Sequence, residues 1–145
     1  MKGDAHRAAG FSLIELLIAL VVVGILTAFA VPAYREQVIA TRRAEGKALI
    51  TDAAARLERC YTRFSSYTNA ACTGILGGTS EGGWYTVPAA GAGAAASTVA
   101  ANSFTLRAIP QRAQATEDTR CGTLTLTHTG VRGQSGTPPA GYDCW

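Results

Sequence analysis

The chain has 145 residues, a formal net charge of +3 and 16% charged residues, and 48% of it is hydrophobic. That length suits one compact domain plus a long helix and excludes two full domains. The mild basic excess does not by itself indicate a nucleic-acid partner, and the hydrophobic fraction is inflated by one N-terminal run and by many alanines.

Met1 to Gly10 form a short basic segment with Lys2, Asp4, His6 and Arg7, and the small residues Ala8, Ala9 and Gly10 stand at its end. From Phe11 to Val31 the only charge is Glu15. At about 1.5 Å rise per residue this run makes a helix of about 31 Å, close to the hydrocarbon thickness of a bilayer. A secretory signal would carry its cleavage site after the apolar run. Here the small-residue junction precedes the run, so cleavage would leave it on the mature chain. The Val31-Pro32-Ala33 segment ends in a small residue, but the helical pattern resumes beyond it. A carboxylate inside hydrocarbon costs about 3 kcal/mol, so Glu15 needs a partner. The α-amine of a new N-terminus at Phe11 is the obvious one. A plain anchor with Glu15 near the headgroups leaves the position of the junction unexplained.

At Gly10-Phe11-Ser12-Leu13-Ile14-Glu15-Leu16-Leu17, followed by Gly24 and Pro32, the chain resembles the type IV pilin family. The resemblance implies that a prepilin peptidase cuts between Gly10 and Phe11 and that the new Phe11 amine is methylated. It implies that Glu15 meets the Phe11 amine of a neighbouring subunit and sets axial register in a filament. Loss of leader residues 1–10, with Lys2, Arg7 and Asp4, lowers the formal charge from +3 to +2. The implied fold is α+β: a long N-terminal α-helix with its C-terminal half packed on a small antiparallel β-sheet.

One helix is expected from about Phe11 to Phe64. Residues 11–33 form the transmembrane or filament-core part, and 34–64 the amphipathic half. Pro32 removes a backbone donor, and Gly24 is a second weak point, so a kink or a local loosening is expected there. Beyond it Leu49 or Ile50, Ala53, Leu57, Cys60, Tyr61 and Phe64 recur at three- and four-residue steps and read as a core stripe. Asp52 and Arg56 form an i,i+4 pair. The basic excess of Arg35, Arg42, Arg43 and Lys47 reads either as a solvated face or as inter-subunit ion pairing. As a positive-inside signal it conflicts with an outward head, and Lys2 and Arg7 suit the cytoplasmic side better.

Residues 65–83 read as a connecting loop. The glycines from Gly77 to Gly83 lack the lysine of a phosphate-binding loop and follow no strand. Residues 84–145 form the head. Trp84 to Val87 is a strand candidate ended by Pro88, and Ala89 to Ala101 reads as an Ala/Gly loop. Ser103 to Ile109 alternates, with Phe104, Leu106 and Ala108 on one face, and Gly122 to His128 opposes Leu124 and Leu126 to threonines. Pro110 to Arg120 reads as a polar turn in which Glu117 and Asp118 are solvated charges. A short element is expected near Val131, then a Gly/Pro loop. Connections this short make the sheet antiparallel.

Four cysteines, none in a C-x-x-C pair, and two histidines make a metal site unexpected. On an exported chain they read as two disulfides with three possible pairings. The two local pairings, Cys60–Cys72 and Cys121–Cys144, are preferred, each worth about 3 kcal/mol in the chain-entropy model. The Cys121 to Val131 stretch and the final Cys144-Trp145 resemble a minor-pilin subclass, in which a C-terminal disulfide encloses a surface region that defines each pilin's identity. The resemblance puts Gln134 to Tyr142 in that region.

No enzyme constellation is present, and no cofactor is expected. His128, the only histidine beyond the leader, sits among threonines with no nucleophile placed beside it. The head also resembles minor pilins of competence systems, some of which bind DNA during uptake, and the candidates this implies here are Arg107, Arg112, Arg120 and Arg132, with Tyr142 or Trp145 for stacking. Beyond Gly83 these four arginines face only Glu117, Asp118 and Asp143, a net of +1, which is a weak footprint for phosphate neutralisation. The expected function is a type IV pilus structural subunit of the minor kind, serving motility, adhesion or pilus biogenesis. The alternatives are a DNA-binding minor pilin of natural transformation and a type II secretion pseudopilin. Expected partners are other pilin subunits, the prepilin peptidase, the inner-membrane assembly machinery, membrane lipid before assembly and, less strongly, DNA. The precursor is expected in the bacterial inner membrane as a single-pass protein with its head in the periplasm, and later in the extracellular pilus.

Overall fold

The computed structural model describes residues 11–91 and 96–145. The expected leader, with Gly10 at the cleavage junction, lies outside the described residues, as does part of the Ala89–Ala101 stretch. The chain divides into two units after Gln37.

Helix α1, Leu13–Phe64, is continuous through Gly24 and Pro32. It begins at Leu13 rather than at about Phe11, and the Ser12 carbonyl accepts the first bonds, from the Glu15 and Leu16 amides at 3.1 and 3.2 Å. Pro32 offers no N–H to the carbonyl four residues earlier. The Thr27 hydroxyl donates to the carbonyls of Val23 and Gly24 at 3.0 and 2.9 Å. Every residue from Phe11 to Gln37 is exposed. The apolar part of α1 reaches a mean hydropathy of 2.7, enough to cross a membrane by length and composition. So much apolar surface is stable only in lipid or against other apolar helices.

From Val38 onward α1 belongs to the second unit. Its buried positions are Arg43, Gly46, Ile50, Ala53 and Leu57, spaced three or four apart along one face. Phe64, expected in the stripe, is 41% exposed. Arg43, expected on a solvated or inter-subunit face, is instead buried inside the stripe. Gly46 lies under the ring of Tyr85, and a Cβ there would stand 2.6 Å from a ring carbon. A helix-interior glycine costs about 1 kcal/mol against alanine. Here it permits Tyr85 to approach the helix backbone and become fully buried. The helix ends after Phe64 because Ser65 turns to φ 52°, with its amide donating to the Tyr61 carbonyl at 2.7 Å.

The 65–83 connection is anchored at several points. It holds a short helix, α2 (Ala70–Thr73), whose first turn is capped by the Asn69 side chain accepting from the Ala71 amide at 3.0 Å. A disulfide joins Cys72 to Cys60 of α1. Buried Tyr67 stacks on Tyr61 at 4.4 Å and meets Phe104 edge-on at 5.0 Å. The glycine-rich end pairs with the next strand through Gly77 N–Val87 O, Val87 N–Gly78 O and Ser80 N–Tyr85 O bonds.

The strands are β1 (Tyr85–Thr86), β2 (Thr98–Ala100), β3 (Ser103–Pro110), β4 (Leu124–Thr127) and β5 (Arg132–Gln134). They form an antiparallel sheet in the order β1-β3-β4-β5, and β2 also pairs with β3. In β3, Phe104, Leu106 and Ala108 are buried and alternate with half-buried partners, as the pattern requires. In β4, Leu124 and Leu126 do the same. These residues share one core cluster with Ile50, Ala53 and Leu57, so the C-terminal half of α1 packs on the sheet. Two expectations are corrected. Ala89–Ala101 is not all loop, because Thr98–Ala100 pairs with Ser103–Thr105. Pro110–Arg120 is not a bare polar turn, because it contains the helix α3, Arg112–Glu117.

Candidate functional site

Helix α3 sets Gln114 and Asp118 one turn apart, and both are buried, at 0% and 2% exposure. Asp118, expected as a solvated charge, accepts two bonds from Arg43, Nε to Oδ2 at 2.8 Å and Nη2 to Oδ1 at 2.7 Å. The Tyr85 hydroxyl and the Gln114 amide also donate to Oδ2, at 3.1 and 3.0 Å. Gln114 Nε2 reaches the Ile39 carbonyl of α1 at 3.2 Å. Burial disfavours the Arg43 charge, but the bonds to Asp118 and Tyr142 and the attraction of Asp118 outweigh it, and its pKa is raised. The guanidinium therefore stays charged and paired. Burial, opposed by the Gln114 bond and reinforced by Asp118, pushes Tyr85 up to about 12. This network ties α3 and β1 to α1.

The same Arg43 also holds Tyr142. Its Nη2 donates to the Tyr142 hydroxyl at 3.0 Å. The guanidinium carbons of Arg43 and Arg120 stand 5.4 and 5.5 Å from the ring centre, within cation–π range. Nearby, the Trp145 indole N–H donates to the Gly133 carbonyl at 2.9 Å, and Arg132 lies 5.4 Å from its ring centre. A disulfide joins Cys121 to Cys144, between the two aromatics, with their Cα atoms 5.6 Å apart. It closes the segment that contains Gln134 to Tyr142. Gly136 of that segment packs against the backbone at Thr119 and Arg120, where a Cβ would collide with main-chain atoms. The pKa of Lys47, one turn beyond Arg43 on α1, is lowered, by burial first and then by the Arg43 charge.

A second cation–aromatic cluster lies around Trp84. Arg42 stacks on that indole at 3.8 Å and pairs with Glu117 at 2.7 Å, and Arg112 stands 6.0 Å from the same ring. Arg112 Nη1 also reaches the Gly82 carbonyl at 3.4 Å.

Of the arginines singled out in the sequence, the structure thus brings Arg120 to Tyr142 and Arg132 to Trp145. Arg112 belongs to the Trp84 cluster. Arg107 is half-buried on β3, with an enclosed Nε that has no hydrogen-bond partner among the described residues. Sequence reasoning placed Arg43 on a solvated or inter-subunit face and missed its burial. The sign that pointed to Arg43 was its place, with Gly46, Ile50, Ala53 and Leu57, on a three- and four-residue stripe. His128 is exposed and edge-on to Phe104 at 6.2 Å. Among the described residues no group of His, Cys, Asp and Glu is placed to hold a metal ion. Chemically, the Arg120–Tyr142 and Arg132–Trp145 pairs offer cations for an anionic ligand beside aromatic surface.

Comparison with known families bears on residues 5–125. The family described as "Type IV minor pilin ComP, DNA uptake sequence receptor" matches residues 32–125. The prokaryotic N-terminal methylation motif matches residues 5–31. The type IV major fimbrial protein FimA of Dichelobacter nodosus is 50% identical over 40 residues, 28% of this chain and 25% of that protein. The chain thus spans a quarter of the length of the curated relatives it matches. Among solved structures, a type IV pilin from Shewanella oneidensis is 25% identical, covering 74% of this chain and 97% of that one, with a TM-score of 0.49. The non-core minor pilin PilV of Neisseria meningitidis is 22% identical, covering 71% and 97%, with a TM-score of 0.46. With the amphipathic helix and the head matched as far as residue 125, and the methylation motif preceding them, the chain belongs to the type IV minor pilin family described as ComP, DNA uptake sequence receptor.

Proposed function

We propose that this chain is a minor subunit of a type IV pilus whose head binds DNA for uptake. The observation that carries the DNA reading is the pairing of Arg120 with Tyr142 and of Arg132 with Trp145 beside the disulfide-closed segment, in a member of this family. Arginine supplies phosphate contacts, which position the ligand and dominate affinity, and an aromatic ring adds apolar contact or stacking. Arg107 and Arg112 contribute less, one half-buried and one engaged at Trp84.

The precursor is an inner-membrane single-pass protein with its head in the periplasm. The prepilin peptidase cuts between Gly10 and Phe11, and the Phe11 amine is methylated. The apolar part of α1 then passes from lipid to equivalent helices of other pilin subunits, guided by the inner-membrane assembly machinery. Lipid and a helix bundle are similarly apolar, so packing and the Glu15–amine pair supply the preference for the filament. The Gly24–Pro32 interval is where α1 loosens to fit. The protein is a building subunit and carries out no catalysis.

The test is binding of a fluorescent DNA duplex by the mature full-length chain in neutral detergent. Binding at low salt should weaken steeply as salt rises, and an Arg120→Ala/Arg132→Ala variant should bind many-fold more weakly. Absence of binding at low salt overturns the DNA reading and leaves a purely structural subunit.

A further inference from the structure

Between the C-terminal half of α1 and the 65–83 connection runs a furrow. Three adjoining concavities make it up. Leu49, Asp52 and Thr79 wall both the first and the second, and Arg56 and Ile75 wall both the second and the third. From residue 45 to residue 64 of α1 it extends about 28 Å. Its charge is divided between its ends. Glu45 and Glu81 stand at the first, Arg59 and Arg63 at the last, and Asp52 and Arg56 pair in the middle at 2.8 Å. Glu81, Arg59 and Arg63 are exposed, and half-buried Glu45 accepts from the Gly82 amide at 2.9 Å. None of these four forms an ion pair among the described residues. Between the charged ends the walls are apolar, with Leu49, Leu76 and Ile75, and Phe64 lies exposed beside the two arginines.

We propose that this furrow is a contact surface between copies of the chain, in which the end with Glu45 and Glu81 on one copy meets the end with Arg59 and Arg63 on the next. The contact rests on the pilus-subunit reading, adds a surface to it and is independent of DNA binding. A nucleic acid laid along the furrow does not fit, because the acids of one end repel the phosphates that the other end would hold. The pattern calls for a partner with apolar surface and both signs of charge in the opposite order. The far end of the same furrow on a second copy is that partner. Copies anchored in one bilayer point the same way, so opposite ends meet by an axial offset, a head-to-tail contact that repeats from copy to copy. The cationic end opens to about 720 Å³, room for the side chains of an incoming Glu81 loop. Exposed ion pairs are individually weak. Burial of the apolar walls therefore holds the contact, and the charges set its register and exclude the wrong one.

Sedimentation velocity of the mature full-length chain in neutral detergent tests this. Association should rise with protein concentration and fall with salt. Glu81→Arg and Arg63→Glu should each weaken it about tenfold, by removing a pair and setting like charges together. The Glu81→Arg/Arg63→Glu double variant should regain most of that loss. Arg132→Glu, the same change of charge placed beside Trp145, should leave association unchanged. Near-ultraviolet circular dichroism checks that each variant keeps the packed head. A wild-type chain without salt-sensitive association overturns the contact, and so do single-variant losses that the double variant does not regain. Either result, with wild-type chain present in sheared pili, overturns the contact alone. A wild-type chain that never enters pili overturns the subunit reading together with it.

Discussion

Arg43 of α1 and Asp118 after α3 form a two-point ion pair, at 2.7 and 2.8 Å, with side chains only 4% and 1% exposed. Seventy-five positions separate them in sequence. The pair fastens the end of α3 to the helix, and through Tyr85 and Tyr142 it also fastens β1 and the disulfide-closed segment.

Removal of one partner leaves the other charge buried and uncompensated. Asp118→Asn and Arg43→Met should each destabilise the head by about 3–5 kcal/mol. The Arg43→Met/Asp118→Leu double variant should be less destabilised than either single one, because no charge is then stranded. Urea unfolding followed by near-ultraviolet circular dichroism measures this. Equal or additive losses in the double variant would remove the ion pair from the explanation.

Gly46 exists for the ring above it. Gly46→Ala raises helix propensity but places a Cβ 2.6 Å from a Tyr85 ring carbon. The clash should win, with a net loss of about 1–3 kcal/mol. A stabilised Gly46→Ala variant would show that the Tyr85 ring moves freely, contrary to its burial.

Alkali should unfold the head through its tyrosines. Burial and then the Glu58 bond push Tyr67 from 10.0 up to about 12, and burial, assisted by Asp118, does the same for Tyr85. A tyrosine that holds its proton more tightly when folded contributes stability that is complete below its ordinary pKa. That contribution is lost as pH climbs through the folded value. Stability to urea should therefore decline between pH 10 and 12, with tyrosinate absorbance appearing in step with unfolding. Tyr67→Phe should flatten part of that decline. Full tyrosine ionisation near pH 10 in a still-folded head would contradict the buried environments.

Glu15 should matter for assembly and not for folding. Glu15→Val should leave a stable membrane protein whose yield in sheared pili drops severely, and normal piliation would count against the register role. Intact mass of the mature wild-type protein should fit a chain from Phe11 plus one methyl and minus four hydrogens. A product that still begins at Met1 would remove the processing reading.

Much of the architecture was legible because it is written in local periodicity. The run from Phe11 to Val31 and the stripe of Ile50, Ala53 and Leu57 define one helix, and alternation marks β3 and β4. β2 and α3 were hidden for physical reasons. Thr98–Ala100 emerges from an Ala/Gly-rich stretch with little intrinsic strand preference and becomes a strand by pairing with Ser103–Thr105. Arg112–Glu117 is too short to show a period.

The candidate site divides in the same way. Arg120, Arg132, Tyr142 and Trp145 stood out by residue type, but only the folded chain pairs them, Arg120 with Tyr142 and Arg132 with Trp145. By itself the sequence determined the apolar helix with its single carboxylate and the strands of clean alternation, because hydrophobic period acts on neighbours along the chain. Tertiary structure alone decided that Arg43 and Asp118 are buried together and that Arg120 stands beside Tyr142. A charge is tolerated inside a core only where a distant partner arrives to compensate it, and no local pattern records that arrival.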